Sequence, residues 1–216
     1  MGLEQNLKII STYGLAVFIS ATVIYFAIRY GHIHLDEFKQ KHGLKKHDEL
    51  AIVRNQISTT INTLLERTLL KTHACRVYIF EFHNGAVSMS GLPFLKMTNT
   101  YEVLDGNTRT EMHKRENMPF QLFSSFVEAI YSKDYLIMDV DNRTNEYSQF
   151  VYETLVERDI AITVRTKITD INKRVIGYLG IDYTKNKPID EAMIQKSIQT
   201  IQDAATEIGA LLTVKA

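Results

Sequence analysis

Cysteine is nearly absent from this chain of 216 residues: Cys75 stands alone. A single thiol excludes an internal disulfide, a CxxC redox pair and a cysteine-rich zinc site, and it fits a reducing compartment. Net charge is missing too, with 25 Lys and Arg against 25 Asp and Glu and a pI of about 7.1. That balance removes the broad electrostatic case for nucleic acid. The chain also lacks a Gly-rich phosphate loop, a nucleophile elbow and a paired-carboxylate motif. No repeat or low-complexity tract stands out. Together these absences predict a protein that is not an enzyme and carries no metal or cofactor.

Charge is also absent from Ile9 to Ile28, twenty residues bounded by Lys8 and Arg29. At ~1.5 Å of rise per residue such a stretch reaches ~30 Å, the hydrocarbon thickness of a bilayer. A buried helix of a soluble domain would be shorter, and a signal peptide would have a shorter core and a small-residue cleavage site. Tyr13, Tyr25 and Tyr30 lie toward the ends, where amphipathic rings prefer the interface. The reading is a retained single-pass anchor over 1–30, a connector over 31–47 and a soluble domain over 48–216. Lys39, Lys41, Lys45 and Lys46 follow Arg29, so the positive-inside rule favours a cytoplasmic domain. The histidines 32, 34, 42 and 47 have no acid or cysteine completing a metal site in an identifiable geometry; contact with lipid headgroups explains them more cheaply.

Beyond the connector, Leu50, Val53, Ile57, Ile61, Leu64 and Thr68 recur at steps of three and four, the stripe of an amphipathic helix. That helix either covers a sheet or pairs with a second copy, since Leu50, Ile57 and Leu64 also fall seven apart. Arg76–Phe82 alternates as a strand and is expected to stop at His83-Asn84-Gly85. A strand over Leu95–Leu104, a helix over Pro119–Ile130, a short strand over Tyr135–Val140 and a helix over Glu146–Val156 follow. Ile160–Ile168 and Arg174–Tyr183 read as a hairpin. A last helix begins at Pro188-Ile189-Asp190-Glu191 and carries Ile194, Ile198, Ile201, Ala205, Ile208 and Leu212. The predicted class is α+β: a mixed, largely antiparallel sheet with helices packed on one face.

The stretch Ile160–Lys185, with Val175-Ile-Gly-Tyr-Leu-Gly180 at its centre and an Ile-Asp-Glu helix behind it, resembles the second half of a GAF domain. PAS-like folds share the pattern. The resemblance implies a sensory fold with a ligand pocket on its sheet. GAF-type methionine sulfoxide reductases need several cysteines, which this chain lacks. The layout of one N-terminal span, a charged connector and a small α+β domain is also similar to the holins of T-even bacteriophages. There the span forms membrane lesions and a periplasmic domain controls timing.

Glu81 and His83 stand two apart near the end of a strand, so they share a face. They either act as acid and base around a ligand or satisfy the following loop, with Asn84-Gly85 at positive φ. The candidate ligand site is Glu81, His83, Asn84, Tyr101 and Glu102. Candidate oligomer contacts are Ile57, Ile61, Leu64, Ile201 and Ile208. The preferred function is a membrane-anchored, non-catalytic regulatory or interaction module on the lipid bilayer. It would form a homo-oligomer and bind a small molecule or a protein partner, not nucleic acid. Holin-type lysis control is the alternative.

Overall fold

The computed structural model describes residues 51–87, 93–144, 146–187 and 189–213, together with Gly2 and Tyr25. Apart from Tyr25, which is helical, the expected anchor over Ile9–Ile28 and the connector over 31–47 lie outside the described residues. Among the described residues no helix is long and apolar enough to cross a membrane. The described residues from Asn55 onward form one compact unit.

A helix over 51–72 (α1) leads into strands β1 (Arg76–Val87) and β2 (Pro93–Leu104). A two-residue strand β3 (Met118–Pro119) and a 3₁₀ turn precede helix α2 (Ser124–Ser132). Then come β4 (Tyr135–Asp139), α3 (Gln149–Val156), β5 (Ile160–Thr169), β6 (Val175–Thr184) and α4 (Glu191–Leu212). The six strands form one sheet in the order β3-β2-β1-β6-β5-β4, and every pairing is antiparallel.

Three differences from the sequence reading have physical causes. The sheet is wholly antiparallel rather than mixed, because each neighbour pair is joined by a hairpin or a return across the sheet. β1 runs through His83-Asn84-Gly85 to Val87, because pairing with β2 (Asn84 opposite Leu95, Val87 opposite Pro93) outweighs local turn preference. None of His83, Asn84 and Gly85 has positive φ; Gly85 is needed instead for close approach, since a Cβ there would lie 2.6 Å from the Phe94 carbonyl oxygen. Helices cover both faces of the sheet, not one.

Strand alternation explains the two layers. On one face Val77 and Ile79 of β1, Val164 and Ile168 of β5, and Leu179, Ile181 and Tyr183 of β6 pack with Ile61 and Leu65 of α1 and Ile198, Ile201 and Ile208 of α4. Each such buried aliphatic side chain contributes about 1.5–3 kcal/mol. Polar groups in this layer are satisfied: Thr68 and Thr72 donate to carbonyls four residues back, and the Tyr183 hydroxyl donates to the Thr72 carbonyl at 3.0 Å. Asp190 caps α4 by accepting from the Met193 amide at 2.7 Å. On the other face Tyr78, Phe80, Met138 and Tyr178 pack with Phe126, Val127 and Ile130 of α2 and Val151 and Leu155 of α3.

Candidate functional site

The second face holds charge as well as rings. Arg76, Tyr78 and Phe80 alternate along β1, and the register sets Arg76 opposite Asp182, Tyr78 opposite Gly180 and Phe80 opposite Tyr178. On β5, Thr163 and Arg165 face the same layer, opposite Asp182 and Gly180. Gly180 is what lets Tyr78 lie across β6: a Cβ there would sit 2.5 Å from the Tyr78 ring.

Tyr78 therefore joins three groups. Its hydroxyl donates to Asp182 Oδ1 at 3.1 Å, lies 3.3 Å from Thr163 Oγ1, and accepts from Arg165 Nε at 3.1 Å. Asp182 Oδ2 is shared by Arg158 Nη1 at 3.2 Å and Arg76 Nη1 at 3.5 Å. Arg76 Nε also stands 3.2 Å from Glu102 Oε1, while Glu102 Oε2 accepts from the Thr110 hydroxyl and the Glu111 amide.

Against this network lies a small, partly open cavity of about 10 Å³. Its wall includes Phe80, Met97, Phe123, Phe126 and Val151, and three arginines: Arg115, Arg158 and Arg165. Each arrives from a different element. Arg165 is in the middle of β5, its guanidinium 4.7 Å from the Phe126 ring centre and 5.6 Å from that of Tyr178. Arg158 follows α3 and precedes Asp159, whose left-handed φ of 55° turns the chain back into β5. Arg115 ends the 3₁₀ turn after β2, two residues before Asn117, also left-handed at 54°.

The electrostatics of the three differ. Burial disfavours the Arg165 charge, but the phenols of Tyr78 and Tyr178 and the Asp182 carboxylate outweigh it, so the group is held above its ordinary value. Burial, together with the neighbouring Arg158 charge, pulls Arg115 below its ordinary value. Arg115 Nε is buried without a hydrogen-bond partner, and among the described residues its side chain makes no hydrogen bond or ion pair. Burial raises the Tyr178 phenol despite the three nearby arginines.

The residues singled out from sequence are mostly elsewhere. Glu81 and His83 continue the Val77–Ile79 side of β1, away from the cavity; His83 Nε2 bonds Thr98 Oγ1 at 2.8 Å. Asn84 is exposed near the far end of β1. Tyr101 packs in the α1–α4 layer with its hydroxyl 3.0 Å from that of Ser58. Only Glu102 reaches the network, through Arg76. Ile61, Ile201 and Ile208 are 0 % exposed, Leu64 is buried and Ile57 packs beside them, so these side chains fill the core within one copy. Among the described residues no group of three or more metal-ligating side chains occurs. A sequence signal for the arginine cluster exists: Arg165 and Asp182 are charges inside runs that otherwise read as buried strands.

No known family's sequence profile matches this chain, and no curated protein does. Solved structures do. The phycocyanobilin-bound GAF domain of a cyanobacterial phytochrome superposes at a TM-score of 0.53 with 18% identity, covering 74% of this chain and 89% of that one. The blue-light absorbing form of the PixJ GAF domain from Thermosynechococcus elongatus gives 0.52 with 12% identity, covering 73% and 87%. A far-red cyanobacteriochrome photoreceptor gives 0.51 with 14% identity, covering 77% and 94%. The curled six-stranded antiparallel sheet with its helices is a GAF-like α+β fold. At these identities the likeness is one of fold.

Proposed function

We propose that this chain is a membrane-tethered, non-catalytic sensory module whose GAF-like unit binds a small ligand between the sheet and the α2–α3 layer. The observation that carries the reading is the small cavity on that face, walled by aromatic rings and three arginines, of which Arg115 has a buried Nε without a hydrogen-bond partner. Its fold neighbours include a GAF domain described as phycocyanobilin-bound, which agrees with a ligand in this class of fold. Pockets for drug-sized ligands run to roughly 300–1,000 Å³. The cavity here, at about 10 Å³, accepts only a water-sized group until its roof of α2 and the preceding 3₁₀ turn moves. Ligand entry is therefore coupled to a change in that roof, which is what a sensor requires.

In this reading Ile9–Ile28 is the tether, and the basic residues behind it support a cytoplasmic side for the rest of the chain. Self-association, if it proceeds through α1 and α4, uses their outer faces around Thr59, Thr63, Ala210 and Leu211, which line an open groove.

Two measurements test the reading. Thermal denaturation of the detergent-solubilised full chain against a panel of small neutral and acidic metabolites should give at least one saturable rise. Val151→Met, which narrows the cavity, should abolish that rise; a panel without a response would overturn ligand binding. Reporters fused after Ala216 should be active only when of the cytoplasmic type, and a periplasmic signal would overturn the orientation.

A further inference from the structure

Counting charge on the cavity face leaves an excess. Arg76, Arg115, Arg158 and Arg165 face two buried carboxylates, Asp182 and Glu102. Glu102 is taken up by Arg76, Thr110 and the Glu111 amide. Asp182 is shared among Arg76, Arg158 and Tyr78. Glu111, the other acid whose field reaches Arg115, is paired with Lys114 at 3.1 Å.

Arg158 donates from Nε to the Thr154 carbonyl and from Nη1 to Asp182. Arg165 donates only from Nε, to Tyr78, and the Arg115 side chain donates to nothing among the described residues. A guanidinium carries more N–H groups than these acceptors use, in a planar fork that matches carboxylate or phosphate oxygens. An unpaired buried cation is costly, so folds retain one where a partner arrives from outside. The cation–π contacts of Arg165 with Phe126 and Tyr178, and of Arg158 with the Tyr78 ring at 5.9 Å, hold the forks in place without using their donors.

We propose that the cavity is an oxyanion site: Arg115, Arg158 and Arg165 together take the carboxylate or phosphate end of a small acidic metabolite. The inference rests on the ligand-binding reading above and names the chemistry of that ligand. Arg115 is the responsive member. It alone of the three sits on the connection between β2 and α2, which is pinned to the sheet by the short β3 pairing at Lys96–Pro119 and Met97–Met118. An anion drawing Arg115 inward therefore acts directly on the roof.

The test is thermal denaturation of the full chain in detergent at constant ionic strength, with chloride replaced stepwise by inorganic phosphate or by acetate. Glycerol and acetamide serve as neutral counterparts. One of the two oxyanions should raise Tm saturably, and which one does so separates phosphate from carboxylate. Arg115→Gln should abolish the rise without lowering the ligand-free Tm, and exposed Arg67→Gln should keep it. Should Arg115→Gln fail to fold, Arg115→Lys keeps the charge but loses the fork, and should weaken the oxyanion by about tenfold. The assignment is overturned if neither oxyanion exceeds chloride, or if the Arg115 variants respond like the unmodified chain. A neutral compound giving the same saturable rise would overturn the anion chemistry alone and leave ligand binding standing. No rise from these probes or from the metabolite panel would remove both.

Discussion

Gly180 lies directly opposite Tyr78 in the β1–β6 ladder, and the Tyr78 ring occupies the space that a side chain at 180 would fill. The Tyr78 hydroxyl can reach Asp182 and Arg165 only because of that space. Gly180→Ala should therefore displace the ring and break the network, costing about 1–3 kcal/mol as an overpacked core site does. Urea unfolding reads this as a lower midpoint at unchanged slope. An unchanged midpoint would show that the ring has room to move.

Asp182 balances two guanidiniums at once, so its charge matters more than its shape. Asp182→Asn keeps the volume but leaves Arg76 and Arg158 facing each other without their shared counter-ion. Breaking a buried pair of this kind costs about 3–5 kcal/mol. At about 2–4 °C per kcal/mol for a unit of this size, Tm should drop by roughly 6–20 °C. A drop of only a degree or two would mean that the arginines reorganise toward solvent.

The β5–β6 turn makes the fold sensitive to acid. Burial alone would push the Asp170 carboxyl up, but the Arg174 and Asn172 amides and the Arg174 guanidinium, the last two contacts at 2.8 and 2.7 Å, more than offset it. The folded carboxyl thus ionises at lower pH than its ordinary value of 3.8. The stability this contributes is present above that value and is lost as pH falls through the folded one. Tm measured from pH 5 down to about 2 should fall more steeply for the unmodified chain than for Asp170→Asn. Parallel curves would assign the acid sensitivity to other carboxylates, such as Asp139, which three hydrogen bonds from Asp141 and Asn142 also hold low.

Much of the fold was legible because strands and helices declare their periods locally. The stripe of α4 from Ile194 to Leu212 and the β5–β6 hairpin sit within a residue or two of where the pattern places them. The same stripe is ambiguous about partners: Ile61, Ile201 and Ile208 have helical spacing suited to a dimer seam, and in this structure they pack in the core of their own chain. Periodicity says that a face is covered and is silent on what covers it.

The arginine-lined cavity is illegible in the sequence for a related reason. The spacing of Glu81 and His83 puts them on one face of β1, but which face meets the cavity follows from how the two helical layers divide, and no local spacing encodes that. Arg115, Arg158 and Arg165 are spread over fifty residues and three elements, joined only by strand register and by two left-handed residues, Asn117 and Asp159. By itself the sequence determined the apolar stretch, the neutral charge, the lone cysteine and the order of elements, because each depends on neighbours along the chain. Only the tertiary structure decided the antiparallel order of the sheet, the two-sided covering and the meeting of three cations around one cavity, because those depend on neighbours across it.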